Sequence, residues 1–399
     1  MARWAVNFDM RVQADRYDIV SLVARAHALA TVIRGIPIPP GLQRKIDALN
    51  ILRAVRGTTG IEGTELTETE VLQVMESPGE HVLPKGKRRE ELEVRNAERV
   101  MYLVATTLIK KPDTPLTEGL ICLLHKTTTE DIPYRNNTPG KYRDHAAHAG
   151  TYLPPATGQQ VRELMAAFVD WFNNGPVRLW DPIIKAILAP FYVVSIHPFG
   201  DGDGRTARAV ESLLLYQAGV NARGFYSLAN YYYRRRDEYV AALDHVRFHT
   251  NGDLTPFVTF ALNGLVEELE AVHNEVLREV QIISFRDFAR EVLEADGKMG
   301  TKIGERVFHF LLRLGPDAVS IKALRAGAHP LSRHYRGVTG KTLSRDVNYL
   351  KERELIVVDG DDLRANLGIM TRFTPPLGLF NLPPPTKKRR LRQPGQRNA

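Results

Sequence analysis

The sequence predicts a mainly α-helical protein with a small β-hairpin and a separate C-terminal domain. Apolar residues recur at helical spacing through most of the chain, whereas one segment near residue 140 is rich in glycine, proline and aromatic residues. A chain of 399 residues is also longer than one hydrophobic core usually supports. We therefore expect an N-terminal helical region at 1–110, a core at 111–275, a C-terminal domain at 276–380 and a disordered basic tail at 381–399.

Several apolar stretches predict helices in the first two regions. Residues 21–29 and 46–55 predict two helices, separated by the prolines between 37 and 40, and 90–110 predicts a longer one. A further stripe starts at Val161 and ends before the Asn-Asn-Gly-Pro run at 173–176. Residues 183–194 are apolar nearly all round, as expected of a buried helix.

The exception to the helical pattern lies between residues 138 and 155. Its glycines, prolines and tyrosines indicate extended chain or a hairpin. An ordinary surface hairpin would have this composition too.

Composition narrows the class of protein. A hydrophobic content of 43% and a charged content of 25% are typical of soluble globular proteins. No apolar run reaches about 18 residues, and the N-terminus lacks the apolar core of a signal peptide. Cys122 is the single cysteine and is expected to be a buried thiol without a disulfide partner in the chain. We expect a cytoplasmic protein with no membrane span.

The net charge of +8 lies mostly in the tail, which follows three prolines at 383–385. Six of the eight charges come from a stretch without acidic residues: Lys387, Lys388, Arg389, Arg390, Arg392 and Arg397. A segment of this kind has little to bury and is expected to be disordered. It could contact nucleic acid or an acidic surface, or simply keep the chain soluble.

The C-terminal domain resembles a winged helix in the order of its elements. Residues 304–314, 319–326 and 338–351 predict three helices, and 355–358 predicts a strand. The resemblance places Lys341, Ser344, Arg345 and Asn348 on the exposed face of a recognition helix. Because winged helices also serve as docking or dimer modules, DNA, a protein partner and a homodimer all remain open.

One short segment combines several groups that bind phosphates. Residues 197–208 read His-Pro-Phe-Gly-Asp-Gly-Asp-Gly-Arg-Thr-Ala-Arg and lead into a predicted helix. Glycines let backbone amides converge on an anion, and a helix N-terminus favours phosphate. Arg205 and Arg208 share a helix face, and Asp201 is an oxygen ligand suited to Mg²⁺. His197 can accept a proton near neutral pH. The combination predicts a nucleoside triphosphate site.

The same segment resembles the motif of the Fic family, His-Pro-Phe-x-Asp/Glu-Gly-Asn-Gly-Arg-x-x-Arg, and the likeness extends over roughly residues 45–265. The resemblance implies a Fic-type helical bundle whose members mostly transfer AMP from ATP to a protein hydroxyl. It implies that His197 is the general base and Asp201 the Mg²⁺ ligand. Gly202 and Gly204 would form the anion nest, and Arg205 and Arg208 would hold the phosphates. The segment at 138–155 resembles the flap that holds the target protein by strand addition.

Asp203 departs from the motif, because the family has asparagine there. An ionised aspartate beside the nucleotide-binding glycines repels phosphate. The side chain could turn away, a second cation could bridge it, or catalysis could be weak. Of these we expect weakened catalysis with the nest's backbone amides intact. Tyr239 lies in a segment that resembles the lining of the family's adenine pocket, with Arg235 and Val240 replacing the usual asparagine and second tyrosine. Tyr239 either stacks on the base or packs in the core.

A second element, Thr58-Thr59-Gly60-Ile61-Glu62-Gly63, resembles the family's inhibitory motif, Ser/Thr-x-x-x-Glu-Gly/Asn. Its implied residues are Thr58, Glu62 and Gly63, and a glutamate paired with Arg208 would occupy the guanidinium that holds the γ-phosphate. Two functions follow as hypotheses. One is an autoinhibited adenylyltransferase that modifies a Ser, Thr or Tyr of a target protein or of itself. The other is a nucleotide-sensing, DNA-binding transcriptional regulator.

Overall fold

The computed structural model describes residues 2–108, 114–150, 152–220 and 228–372. The predicted basic tail therefore lies outside the described residues, as do Thr151 of the flap segment and the last two residues of the helix predicted at 90–110. The described chain falls into two compact units, Met1–Val276 and Leu277–Ala399. The first unit contains both of the regions expected at 1–110 and 111–275.

Unit 1 is almost entirely helical, which confirms the mainly α fold class. The described helices that begin in it are α1 (Tyr17–Gly35), α2 (Pro40–Ile61), α3 (Glu68–Glu76), α4 (Arg88–Leu108), α5 (Glu118–Thr129), α6 (Gly158–Asn174), α7 (Pro182–Ile196), α8 (Asp203–Gln217), α9 (Leu228–Arg234), α10 (Arg236–Phe248) and α11 (Thr255–Ala295). No helix in the described part of the chain is both long enough and apolar enough to cross a bilayer.

Helix α7 is the centre of the core, as its continuously apolar sequence predicts. Its N-terminus is capped by Asp181, whose carboxylate accepts a hydrogen bond from the Ile183 N–H over 2.8 Å. The side chains of Phe191 and Tyr192 on α7 are fully buried, as is Phe168 on α6. Because α7 also packs against α8, the loop between these two helices is held at both ends by buried structure.

Helix α2 is built into the core along its C-terminal half. Gly57, Thr58, Thr59 and Ile61 are all buried. A Cβ atom at Gly57 would lie 2.7 Å from the carbonyl carbon of Ala229 and from the backbone nitrogen of Asn230. Only glycine permits this close approach of α2 to α9, so the position of α2 is set by backbone contact.

Unit 1 contains little β structure among its described residues. Strand β1 (Ala2–Arg3) pairs in parallel with strand β2 (Tyr152–Leu153) in the flap segment. An antiparallel bridge between Ala149 and Tyr152 closes a tight turn. The flap segment from 138 to 150 contains no other strand, so it is mostly irregular chain with a short turn.

Unit 2 consists of short helices and a small antiparallel sheet. The helices that begin in it are α12 (Lys302–Arg313), α13 (Ile321–Arg325) and α14 (Gly340–Glu352), and the strands are β3 (Val319–Ser320), β4 (Ile356–Asp359) and β5 (Asp362–Ala365), in the sheet order β3-β5-β4. The core includes Phe310, Leu343, Leu350 and Leu363. The helix predicted at 319–326 begins with two strand residues instead, because Val319 and Ser320 pair with β5.

Candidate active site

The loop between α7 and α8 carries the predicted base. Helix α7 ends at Ile196, and the next residue, His197, adopts a left-handed conformation with φ 51° and ψ 60°. This conformation is uncommon for residues other than glycine, so surrounding contacts must hold it. The loop then reaches Gly202, with φ 81°, directly before α8. A Cβ at Gly202 would lie 2.6 Å from Thr129 Cγ2, so both conformation and space require glycine here.

Asp203 faces His197 from inside the protein. Its Oδ1 accepts a hydrogen bond from the Phe199 N–H over 3.0 Å, and its Oδ2 lies 3.2 Å from His197 Nε2. Burial raises the pKa of Asp203 well above its usual range and lowers the pKa of His197 to about 4. The His197 ring is therefore neutral at pH 7. The side chain turns away from solvent, which reduces the repulsion of phosphate expected from the sequence.

Arg143 in the flap segment holds the loop between α7 and α8 in place. Its Nε donates to the His197 carbonyl over 2.7 Å, and its Nη2 donates to the Pro155 carbonyl over 2.7 Å. The Arg143 N–H also donates to the Pro198 carbonyl over 2.9 Å. This buried arginine thus ties the flap to the strained residue His197. Sequence reasoning missed it, because a single arginine in a loop gives no signal.

His125 on α5 supports the same loop from the other side. Its ring stacks on Phe199 with a centroid separation of 3.6 Å. Nδ1 accepts a hydrogen bond from the Gly140 N–H over 2.9 Å, so Nε2 donates to the Asp201 carbonyl, also over 2.9 Å. Burial lowers the pKa of His125 to about 4, which keeps this neutral tautomer. Sequence reasoning missed His125 because a lone histidine on an apolar helix is usually a packing residue.

Arg205 points into the protein. Its side chain is only 5% exposed, and Nη1 lies 3.3 Å from Glu93 Oε1 on α4. Its guanidinium carbon lies 5.2 Å from the centroid of the Tyr134 ring, and Tyr134 itself donates to Glu93 over 2.6 Å. Nη2 lies 3.3 Å from Asp201 Oδ1. Arg205 therefore links Asp201 to a buried acidic and aromatic cluster.

Arg208 is occupied by the predicted inhibitory motif. Its Nη2 donates to Glu62 Oε1 over 2.7 Å and to the Thr58 carbonyl over 2.8 Å, and its Nε donates to Thr58 Oγ1 over 3.0 Å. Partial removal from water raises the pKa of Glu62, but the charge and hydrogen bond of Arg208 outweigh this and lower it below its usual range. Glu62 is thus ionised at neutral pH. The contact joins the end of α2 to the first turns of α8.

The same carboxylate covers the predicted anion nest. A Cβ at Gly204 would collide with Glu62 Oε1 and would lie 3.2 Å from Arg208 Nη1. The carboxylate therefore rests against the N-terminal turn of α8, where a phosphate would bind. Gly63, with φ 95°, follows in open space and lets the chain turn directly after Glu62.

Two contacts fix the end of α2 where Glu62 emerges. Arg236 Nε donates to the Ile61 carbonyl over 2.8 Å. A Cβ at Gly60 would collide with the Tyr233 ring, so this ring packs closely against the helix. Tyr233 lies on α9 and Arg236 on α10, so these two helices support the predicted inhibitory motif. The motif is thus positioned independently of its contact with Arg208.

Tyr239 is placed in an aromatic cluster. It is 4% exposed and stacks on Tyr232 with a centroid separation of 4.4 Å. Of the two interpretations that the sequence left open, this arrangement favours core packing. Cys122, predicted to be buried, is partly buried on α5.

Asp201 suits a magnesium ion that is bound together with phosphates. Such ions usually take one or two protein carboxylates and complete their shell with phosphate oxygens and water. The Asp201 carboxylate is 39% exposed beside the N-terminus of α8. The described ranges contain no cluster of three or more His, Cys, Asp or Glu side chains that could hold a metal without a substrate. The donor set therefore fits an ion that arrives with a nucleotide.

The chain is similar in sequence to known proteins. Residues 115–215 match the model of the Fic/DOC family. Protein adenylyltransferase fic-1 of Caenorhabditis briggsae is 31% identical over 206 residues, covering 51% of this chain and 37% of the relative. Protein adenylyltransferase Fic of Aedes aegypti is 27% identical over 204 residues, covering 51% of this chain and 38% of the relative. The chain thus spans less than half the length of these two relatives.

Solved structures show the fold. A Fic family protein from Desulfovibrio desulfuricans G20 aligns with a TM-score of 0.52 at 21% identity, covering 88% of this chain and 96% of that chain. Fic-1 from C. elegans aligns with a TM-score of 0.54 at 23% identity, covering 66% of this chain and 73% of that chain.

Proposed function

Because residues 115–215 match the model of the Fic/DOC family, we propose that this chain transfers AMP from ATP to a hydroxyl group of a protein. The observation that carries the proposal is the convergence of three groups at one end of α8: the His197 base, the glycine-lined helix N-terminus and Arg208. The names of the two curated relatives supply the reaction class. The target is a Ser, Thr or Tyr side chain, of another protein or of this chain.

The reaction follows from the state of His197. Since burial lowers the pKa of His197 to about 4, the ring is neutral at pH 7 and can accept a proton. The acceptor hydroxyl gives its proton to His197 while its oxygen bonds to the α-phosphorus of ATP. The bond from that phosphorus to the pyrophosphate oxygen breaks, and pyrophosphate leaves. Arg143 contributes by fixing the backbone of His197.

The phosphates would bind at the N-terminal turn of α8. Gly202 and Gly204 leave its backbone N–H groups accessible, and Arg208 can pair with the terminal phosphate. A magnesium ion on Asp201, when bound, supplies positive charge that neutralises the phosphates. Arg205 holds Asp201 in position, since its guanidinium lies between that carboxylate and Glu93.

Glu62 keeps this site inactive in our proposal. Its carboxylate pairs with Arg208 and lies against Gly204. It therefore occupies the Arg208 guanidinium that would bind the terminal phosphate of ATP, and the space that this phosphate would fill. ATP could then bind only in a pose that does not align the α-phosphorus with the attacking hydroxyl. The Glu62 side chain is 38% exposed, so water weakens its ion pair with Arg208. Separation of the pair is therefore feasible.

Incubation with ATP labelled at the α-phosphate tests the proposal. The Glu62→Gly variant should acquire a covalent label that the additional His197→Ala substitution abolishes. Mass spectrometry after incubation with each of the four NTPs would identify the transferred base. The rival function, a nucleotide-sensing regulator, predicts nucleotide binding without any covalent label. A folded Glu62→Gly variant that binds ATP and stays unlabelled would therefore favour the rival.

A further inference from the structure

Unit 2 contains a long segment without acidic residues. Residues 318–345 include no aspartate or glutamate and six basic residues, which are Lys322, Arg325, Arg333, Arg336, Lys341 and Arg345. The segment comprises α13, the chain that follows it and the first turns of α14. All six basic side chains belong to exposed residues. This face of unit 2 is therefore strongly positive, although the body of the chain is nearly neutral.

Three of these arginines line one cavity. The cavity has a volume of about 440 Å³, and Arg325, Arg333 and Arg336 contribute to its wall. No acidic residue is among the lining residues. In the described part of unit 2, no carboxylate lies within ion-pair distance of any of the three guanidiniums. Three guanidiniums around one space, without a counter-charge, form a site for an anion.

A buried hydroxyl provides a second, independent observation. Ser332 lines the same cavity and is 9% exposed, and its Oγ has no hydrogen-bond partner in the structure. Buried polar atoms normally have a partner, so an unsatisfied one beside a cavity indicates a ligand. Gly340, the first residue of the thirteen-residue helix α14, also lines the cavity, and its N-cap residue Thr339 makes no capping hydrogen bond. The N-terminus of α14 is therefore available to an anion.

We propose that this face binds the phosphate backbone of duplex DNA. The cavity would receive a phosphate, while α14 presents Lys341, Arg345 and Asn348 on its exposed side to the base edges of the major groove. A hydrogen bond from Arg325 Nη2 to Ser344 Oγ, over 3.0 Å, fixes α13 against α14. Duplex DNA suits this face better than duplex RNA, because the deep, narrow major groove of RNA excludes a helix.

The turn between β4 and β5 would stay off the DNA. Asp359 and Asp362 are exposed there and would repel phosphates. Asp361 is used within the fold: its Oδ2 accepts a hydrogen bond from the Ser320 hydroxyl over 2.6 Å, and its Oδ1 accepts from the Lys322 N–H. Contact is thus confined to the helical face. This inference does not depend on the proposed nucleotidyl transfer.

The test is fluorescence anisotropy of the full chain with a labelled duplex DNA of mixed sequence, measured at several salt concentrations. A triple variant, Arg325→Ala with Arg333→Ala and Arg336→Ala, should bind more weakly and should reduce the slope of log affinity against log salt by about 2.7. The ratio of the native chain's affinity to that of the triple variant should fall by about 40-fold between about 50 and about 200 mM salt. The matched control removes three exposed arginines of unit 1, Arg44, Arg162 and Arg178.

Every protein in the comparison keeps the basic tail, so the tail contributes equally to each. If circular dichroism shows that the triple variant is unfolded, a second variant, Lys341→Ala with Arg345→Ala, takes its place. This second variant should also lower the affinity for DNA. Equal slopes for the triple variant and its control, or no binding by the native chain at about 50 mM salt, would overturn the proposal. Tighter binding to duplex RNA than to duplex DNA would overturn the choice of ligand.

Discussion

Arg208 and Glu62 are joined by a 2.7 Å hydrogen bond across 146 residues of sequence. The bond links the C-terminal end of α2 to the first turns of α8. One ion pair thus connects the predicted inhibitory motif with the helix that follows the loop carrying His197. Thr58 adds two further hydrogen bonds to the same guanidinium. Thr58 and Glu62 thus occupy the Nε and Nη2 donors of Arg208.

Removing the Glu62 carboxylate should activate the chain. Glu62→Gly loses one charge-assisted hydrogen bond and opens the space above Gly204, so self-modification should rise by about 10- to 100-fold. The measurement is incorporation of label from ATP labelled at the α-phosphate. Glu65→Gly is the matched control, because Glu65 is an exposed glutamate three residues away with no ion pair to Arg208. Activation by both variants alike would argue against a specific role of Glu62.

The pH dependence should reflect a base that stays neutral well below pH 7. Because burial lowers the pKa of His197 to about 4, the rate of Glu62→Gly should not fall as the pH drops through the ordinary histidine range near about 6.5. The same low pKa also determines how the stability of the fold depends on pH. A lowered histidine pKa disfavours the protonated form in the folded chain, so stability is lost only as the pH falls below about 6.5 and towards 4. Single-turnover rates between pH values of about 5.5 and 8 test this, and an inflection near about 6.5 would contradict it.

Asp203→Asn, made in the Glu62→Gly background, should increase nucleotidyl transfer several-fold and tighten ATP binding. The amide oxygen can still accept the Phe199 N–H, whereas the ionisable group beside His197 Nε2 is removed. Label incorporation and an ATP-binding isotherm measure the two effects.

Asp203→Ala is the informative companion, because it also removes the acceptor for Phe199. We expect it to lower both stability and activity. A loss of activity in Asp203→Asn with unchanged folding would instead make the Asp203 carboxylate a working group.

Arg143 should be a major contributor to stability. Arg143→Ala removes donors to the carbonyls of His197 and Pro155, both in partly buried surroundings, and should lower the free energy of unfolding by about 3 kcal/mol. Arg143→Lys should not restore it, because an ammonium group lacks the planar donor geometry. Denaturant unfolding provides the measurement. Arg135→Ala, at an exposed arginine of the same unit, is the control and should change little.

Deleting residues 387–399 should remove most non-specific DNA affinity and leave nucleotidyl transfer nearly unchanged. The deletion takes six positive charges without removing a residue of the α7–α8 loop. The salt dependence that remains should come from the arginine-lined cavity of unit 2. A truncated chain that binds duplex DNA as tightly as the full chain would show that the tail has no such role.

Local patterns explain why much of the architecture could be predicted. The helices around α4, α6 and α7 follow from apolar periodicity, and the pairing of Glu62 with Arg208 was expected from two motifs. The two-residue strand β3 was missed because its conformation depends on pairing with β5. The direction of the Asp203 side chain was left open, with a side chain turned away as one of three possibilities. It is decided by the Phe199 N–H and the His197 ring, neither of which a motif specifies in space.

The contact between Gly57 and the backbone of Ala229 and Asn230 limits how the proposed inhibition by Glu62 could be relieved. Helix α2 cannot leave as a detachable arm, because withdrawing it would open the hydrophobic interior and unfold the unit. In our proposal, relief comes instead from movement of the two residues that follow α2, Glu62 and Gly63, which are exposed. The proposed activity would therefore be turned on by a small local opening at Glu62 and Gly63. A bound partner could control it by favouring this opened conformation.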